Sequence, residues 1–245
     1  MSGHSHWSTI RFKKSIEDAK RAKIFSKLSR LITLAAREKG RNPEMNPDLR
    51  AVIEKARSFN MPQENIERAI KRGTGELEGV SFESLLLEGF GPSGIALLIE
   101  VVTDNKNRTL SEIRNLFEKY GGKLVGGGVR WMFERKGVIT ISEAKNQKLK
   151  TKDLELLAIE VGAEDIKEQE GIIEVFTKIE DLERIKKVFQ EKGINIEDAS
   201  LDFVPKEEIK PEDKEAREKI QKLFEELNEN DDVQEIYSNL APNEI

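Results

Sequence analysis

Apolar positions recur every three to four residues over 15–39, which predicts one amphipathic helix. At about 100° per residue, Phe25, Leu28, Ile32 and Ala35 fall on one arc. Lys13, Lys20, Lys23, Lys27 and Arg30 fall on another, Arg37 lies at its margin, and Arg21 projects near the apolar arc. Gly40 is a natural stop. Asn46-Pro47 opens a second helix with Leu49, Val52, Ile53 and Ala56 inside. Met61-Pro62-Gln63-Glu64 opens a third, with Ile66, Ala69 and Ile70 inside. Arg68, Lys71 and Arg72 sit near its end, before Gly73. Three helices with short connections predict a bundle of about 70 residues. The stretch from Gly73 to Gly79 reads as a linker.

The pattern then becomes strand-like over 82–88 and 95–103. A helix follows, with Thr109-x-x-Glu112 as its capping box and Gly121-Gly122 as its stop. Residues 129–134 read as a strand carrying Trp131 and Phe133 on one face, and Lys136-Gly137 as a turn into a new strand at 138–141. From there the predicted order is strand 138–141, helix 151–161, strands 164–168 and 172–177, helix 179–192 and strand 195–204. That is βαββαβ, the ferredoxin-like order. A helix at 211–228 and a short strand at 233–237 have no partner nearby in sequence. They are expected to return and complete the unit at 80–135, which lacks one helix and one strand.

The predicted fold is therefore a multidomain α+β protein. An N-terminal three-helix bundle is followed by two small α+β sandwich domains, one of ferredoxin-like order. The expected boundaries are 1–75 for a basic helical domain, 80–135 plus 207–245 for a discontinuous α+β domain, and 136–206 for the inserted one.

Charge changes the picture. The chain of 245 residues has a net charge of −5, but residues 1–72 hold 17 Lys and Arg against 8 acids. The remainder holds 24 against 38. A basic end facing nucleic acid fits this asymmetry, with the acidic remainder repelling phosphate and orienting the protein; two solvated surfaces of opposite sign are the alternative. There is no Cys, which excludes disulfides and thiolate metal sites. No run approaches a membrane span, and the start has neither an apolar signal core nor the acid-free character of a transit peptide. The expected location is the cytoplasm.

Enzyme chemistry finds little support. Gly89-x-Gly91-x-x-Gly94 matches the dinucleotide spacing, but a β-rich run follows it where the fingerprint needs a helix, so a hairpin turn is expected. His4 and His6, the two histidines, lack an acidic or thiolate partner nearby, and no metal site is expected. The carboxylates are too numerous for an acid–base pair to stand out. No catalytic residue and no cofactor are expected.

Nucleic-acid chemistry finds more. Arg11, Lys13, Lys14, Lys20, Arg21, Lys23, Lys27 and Arg30 concentrate positive charge on the first helix and its approach, Lys71 and Arg72 add to it, and Trp7 lies within the same basic segment as a further candidate contact. Such contacts position a protein without reading sequence. Asn105, Lys106, Asn107, Arg108 and Thr109 lie where a strand hands over to a helix. That segment is either a phosphate-binding loop or a well-capped turn. Trp7, Phe12, Trp131 and Phe133 are candidate base-stacking residues; for Trp131 and Phe133 core packing is the favoured expectation.

The chain also resembles the YebC/PmpR family. The resemblance is densest in Gly3–Trp7, Asp18–Phe25, Asn60-Met-Pro through Gly75, Glu88-Gly-Phe-Gly-Pro92 and Thr103–Thr109. It departs from the family pattern at His6, Phe12-Lys13, Ala22 and Gly127-Gly-Val129. The resemblance implies a three-domain fold with a helical N-terminal domain and no enzymatic activity. It implies a DNA-binding transcriptional regulator by the family's usual description, or, as in other members, a translation factor at the ribosome that relieves stalled translation. The expected partner is DNA or ribosomal RNA, with the ribosome as a further candidate partner, no membrane and a monomeric chain.

Overall fold

The computed structural model describes residues 18–146, 151–169 and 171–241. In chain order the elements are α1 (Asp18–Lys39), α2 (Pro47–Ser58), α3 (Gln63–Gly73), β1 (Glu83–Phe90), β2 (Ala96–Thr103), α4 (Lys106–Lys119), β3 (Lys123–Val125), β4 (Phe133–Ser142), α5 (Thr151–Val161), β5 (Asp165–Gln169), β6 (Ile172–Thr177), α6 (Leu182–Glu191), β7 (Ile196–Pro205), α7 (Lys214–Glu229) and β8 (Val233–Ser238). The chain forms two compact units, one from the inner segment 132–206 and one from the residues on either side of it.

In the outer unit, α1, α2 and α3 bury Leu28, Ile32, Leu49, Ile53, Ile66 and Ala69 against one another. Asn46 joins the first two. Its side chain accepts from the Leu49 amide at 3.0 Å, capping α2, and donates to the Ala35 and Gly40 carbonyls, both at 2.8 Å. Gly73 lets α3 close on α1, since a Cβ there would lie 2.3 Å from the Thr33 carbonyl oxygen. The rest of this unit is a four-stranded antiparallel sheet of order β3-β1-β2-β8. Helices α4 and α7 cover it through Ile113, Phe117, Ile220, Leu223 and Leu227. The strand near the C-terminus, β8, thus pairs with β2, more than a hundred residues earlier.

The inner unit runs βαββαβ, with an antiparallel sheet of order β5-β6-β4-β7. Its core gathers Ile139, Ile141, Ile173 and Val175 from the sheet with Leu154 and Ala158 of α5 and Ile185 and Phe189 of α6. No described helix is long and apolar enough to cross a membrane.

Three expectations are corrected. First, 129–134 is not a strand of the first sheet. Arg130–Met132 is a 3₁₀ turn, and the third strand of that sheet is the short β3, which pairs with β1 at 88–90. Phe133 begins β4 in the second sheet, is buried and faces Pro205; Trp131, on the turn, is exposed. Second, Lys136-Gly137 is no turn, because β4 continues through it to Ser142. Gly137 is there for close approach: a Cβ would meet the Thr177 hydroxyl at 2.3 Å and the Leu182 Cβ at 2.9 Å. Third, α4 starts at Lys106 and is capped by Asn105, so Thr109 lies inside its first turn and is not the cap. Gly89-x-Gly91-x-x-Gly94 does end as the turn between β1 and β2.

Candidate nucleic-acid interface

Of the candidate contacts, Trp7, Arg11, Lys13 and Lys14 lie outside the described residues, as does the side chain of Lys20. Phe12 and the two histidines also lie outside them. The remaining cations of α1 divide by direction. Arg21 is exposed. Lys23, Lys27 and Arg30, spaced four and three residues apart, share one helix face and point at the end of α7 and the start of β8.

There each finds an oxygen of the protein itself. The Lys23 ammonium donates to the Glu229 carboxylate at 2.7 Å and also to its backbone carbonyl. Lys27 donates to the Asn228 carbonyl at 3.0 Å. Burial pushes the Lys27 ammonium down to about 8, and the neighbouring charges of Glu235, Asp231 and Glu229 do not offset it. Arg30 donates to Asp232 and, at 3.3 Å, to the Val102 carbonyl, while its guanidinium lies 5.5 Å from the centre of the Phe82 ring. Lys55 of α2 adds a pair with Glu235 at 3.3 Å.

Asp232 is the hub. Its carboxylate is 4% exposed and receives four donors from three parts of the chain. Arg30 of α1 binds one oxygen. The other receives the Thr103 hydroxyl at 3.0 Å, the Arg108 guanidinium at 2.9 Å and the Thr109 hydroxyl. Burial alone would raise this carboxyl; the donations from Thr109, Arg108, Arg30 and Thr103 outweigh it and hold the group at about 2. Thr103, Arg108 and Thr109 of the segment 103–109 thus meet a carboxylate of the same chain, Asp232. Asn105 caps α4 through the Arg108 amide at 3.1 Å, and Lys106 and Asn107 stay exposed.

The outward cations lie elsewhere. Lys71 and Arg72 are exposed in the last turn of α3, with no ion pair among the described residues. Arg37 reaches the Ser81 hydroxyl, and Arg41 pairs with Glu76 at 3.0 Å. Because Gly73 abuts the backbone of Thr33 and Arg37, these groups cluster where α3 meets the C-terminal half of α1. At 1.5 Å per residue, Arg21 is about 24 Å from Arg37 along the helix. Among the described residues no cluster of His, Asp or Glu could hold a metal ion.

Sequence reading found the cations but missed their partners Asn228, Glu229, Asp232 and Glu235. The available signal was the opposite charge of the two ends of the chain. The separation of about 200 residues hid which acids meet which cations.

Comparison with known proteins agrees along the whole chain. Residues 5–76 match the model of the TACO1/YebC protein N-terminal domain, and residues 82–240 match that of the TACO1/YebC second and third domain. A protein of Halothermothrix orenii, called "Probable transcriptional regulatory protein", is 48% identical over 247 residues, covering 100% of this chain and 97% of that one. One of Thermotoga maritima with the same name is 52% identical over 240 residues, covering 98% and 93%. The crystal structure of a conserved hypothetical protein from Aquifex aeolicus superposes with a TM-score of 0.85 at 45% identity, covering 93% of both chains. The helical bundle, the two antiparallel sheets and these matches place the chain in one family: it belongs to the TACO1/YebC proteins.

Proposed function

We propose that this protein is a non-enzymatic, nucleic-acid-binding regulator of gene expression that acts in transcription, as the names of its relatives suggest. The observation that carries the reading is the division of its positive charge. Lys23, Lys27 and Arg30 are turned onto oxygens of the protein itself, whereas Lys71 and Arg72 are exposed with no ion pair among the described residues; these two, with the sequence-predicted Arg11, Lys13, Lys14, Lys20 and Arg21, are the proposed phosphate contacts. Lys106 extends that set at the start of α4. The test is binding of the full chain to a DNA duplex across a salt series. Reversing Arg21, Lys71 and Arg72 to Glu weakens binding and lowers the salt slope by roughly 2–3. Unchanged affinity and slope would remove these residues from the interface.

A second reading, a translation factor on ribosomal RNA, is favoured by one feature. The exposed face of α3 mixes Glu64 and Glu67 with its cations, and Arg68 is tied to Glu64 at 2.5 Å. A helix seated in a DNA major groove would carry acids there against phosphate. Crosslinking in native lysate separates the readings: discrete promoters support transcription, and one ribosomal RNA site supports translation.

A further inference from the structure

Trp131 is 69% exposed, yet it is held in place. Its indole N–H donates to the Gly128 carbonyl at 2.8 Å. The turn beneath the ring is fixed from β1, where the Glu88 carboxylate accepts from the amides of Val129 at 2.7 Å and Arg130 at 3.0 Å. Val129 itself is fully buried and anchors the turn. Gly127 and Gly128 have φ of +143° and +100°, values that disfavour a side chain. A Cβ added at Gly126, Gly127 or Gly128 would meet nothing within 4 Å. Beside the ring there is thus bare backbone and open space. Lys123 and Arg130 are exposed on the same stretch, and residues 123–131 contain no acid.

An indole so exposed is rare on a folded surface unless it serves contact. One ring between glycines and an arginine offers too little apolar area to seat a protein, which needs a contiguous patch. It matches the face of a single nucleobase. The tether also matters, because a ring already fixed loses little freedom on stacking.

We propose that Trp131 is a stacking platform for one unpaired base of a single-stranded nucleic acid. Arg130 and Lys123 supply charge for the flanking phosphates, and the glycine turn leaves room for the sugar–phosphate backbone. The site deepens, and rests on, the nucleic-acid-binding reading above.

The test uses the full chain with a fluorescein-labelled 12-nucleotide uridine-rich RNA, a duplex of equal length, and the same RNA carrying 5-iodouridine. Trp131→Ala is expected to weaken single-strand binding about 5- to 100-fold, the range for one stacked base, and to leave duplex binding unchanged. Trp131→Phe retains most of the affinity, and irradiation of the iodouridine RNA gives an adduct mapped to Trp131. Equal RNA binding by Trp131→Ala, with adducts elsewhere, overturns the platform and leaves the nucleic-acid reading standing. Failure of the unaltered protein to bind any oligonucleotide overturns both. Equal losses on RNA and duplex, with a lowered melting temperature, make Trp131 a structural residue and overturn the proposal. A lysate protein held by the unaltered chain but not by Trp131→Ala, at equal RNA affinity, overturns it in favour of protein docking.

Discussion

Replacing Asp232 with asparagine tests how α1 is joined to the first sheet. The carboxyl lies at about 2, against an ordinary value of 3.8. At 1.36 kcal/mol per unit this difference corresponds to ~2.4 kcal/mol. Water reaching the network through Arg108, 44% exposed, lowers that to about 1–2 kcal/mol. The pKa is depressed in the folded state, so the stabilisation is complete above the unfolded value near 4 and disappears as pH falls toward 2. The carboxamide of Asp232→Asn would offer one acceptor oxygen to four donors, leave Arg30 without its carboxylate partner and take from Arg108 one of the carboxylates it meets, at a cost of roughly 2–4 kcal/mol at pH 7. The assay is urea unfolding followed by circular dichroism at pH 7 and at steps from pH 5 to 2, with amide exchange reporting on α1. The variant should be less stable at pH 7 and lose about 1–2 kcal/mol less than the unaltered protein over the acid range. Asp104→Asn, which removes only an exposed pair with Arg108, should cost under about 0.5 kcal/mol. If Asp232→Asn stays within about 0.5 kcal/mol of the unaltered protein and keeps the same acid slope, the hub does not join these elements.

Three further outcomes are expected. Lys27 has a lowered pKa, so its charge weakens folding below about pH 8 and this penalty lifts as pH rises toward 10.5; Lys27→Met should flatten the alkaline stability profile by about 2–3 kcal/mol relative to the unaltered chain, and parallel profiles would refute the buried ammonium. Gly137→Ala should destabilise the inner unit by about 1–3 kcal/mol through contact with Thr177 and Leu182, read as a shift in melting temperature, and an unshifted melt would mean that β4 and α6 move apart freely. Lys23→Gln should leave the salt slope of DNA binding within about 0.3 of the unaltered value, because its charge already sits on Glu229; a drop near 0.9 would return it to the phosphate surface.

Much of the fold was legible because local periodicity reports on burial. The three helices, the βαββαβ order of the inner unit and a returning helix and strand after 207 all follow from the spacing of apolar residues and from Gly and Asn stops. Errors came where two causes produce one pattern. Residues 129–134 have strand composition, but the preceding glycines and the Glu88 carboxylate fold their start into a 3₁₀ turn and expose Trp131. Gly137 looked like a turn residue and proved to be a site of close approach.

The sequence by itself determined the family, the elements and the separation of charge between the two ends of the chain. Only the tertiary structure decided which cations face outward. Lys23, Lys27 and Arg30 have the helical spacing of a phosphate-binding stripe, and nothing local distinguishes that stripe from one that meets Glu229, Asn228 and Asp232. A charge is specified by its residue, whereas its partner depends on two segments about 200 residues apart being brought together by apolar burial. Because burial carries no information about charge, the destination of these cations is settled only when the helices and the sheet have packed.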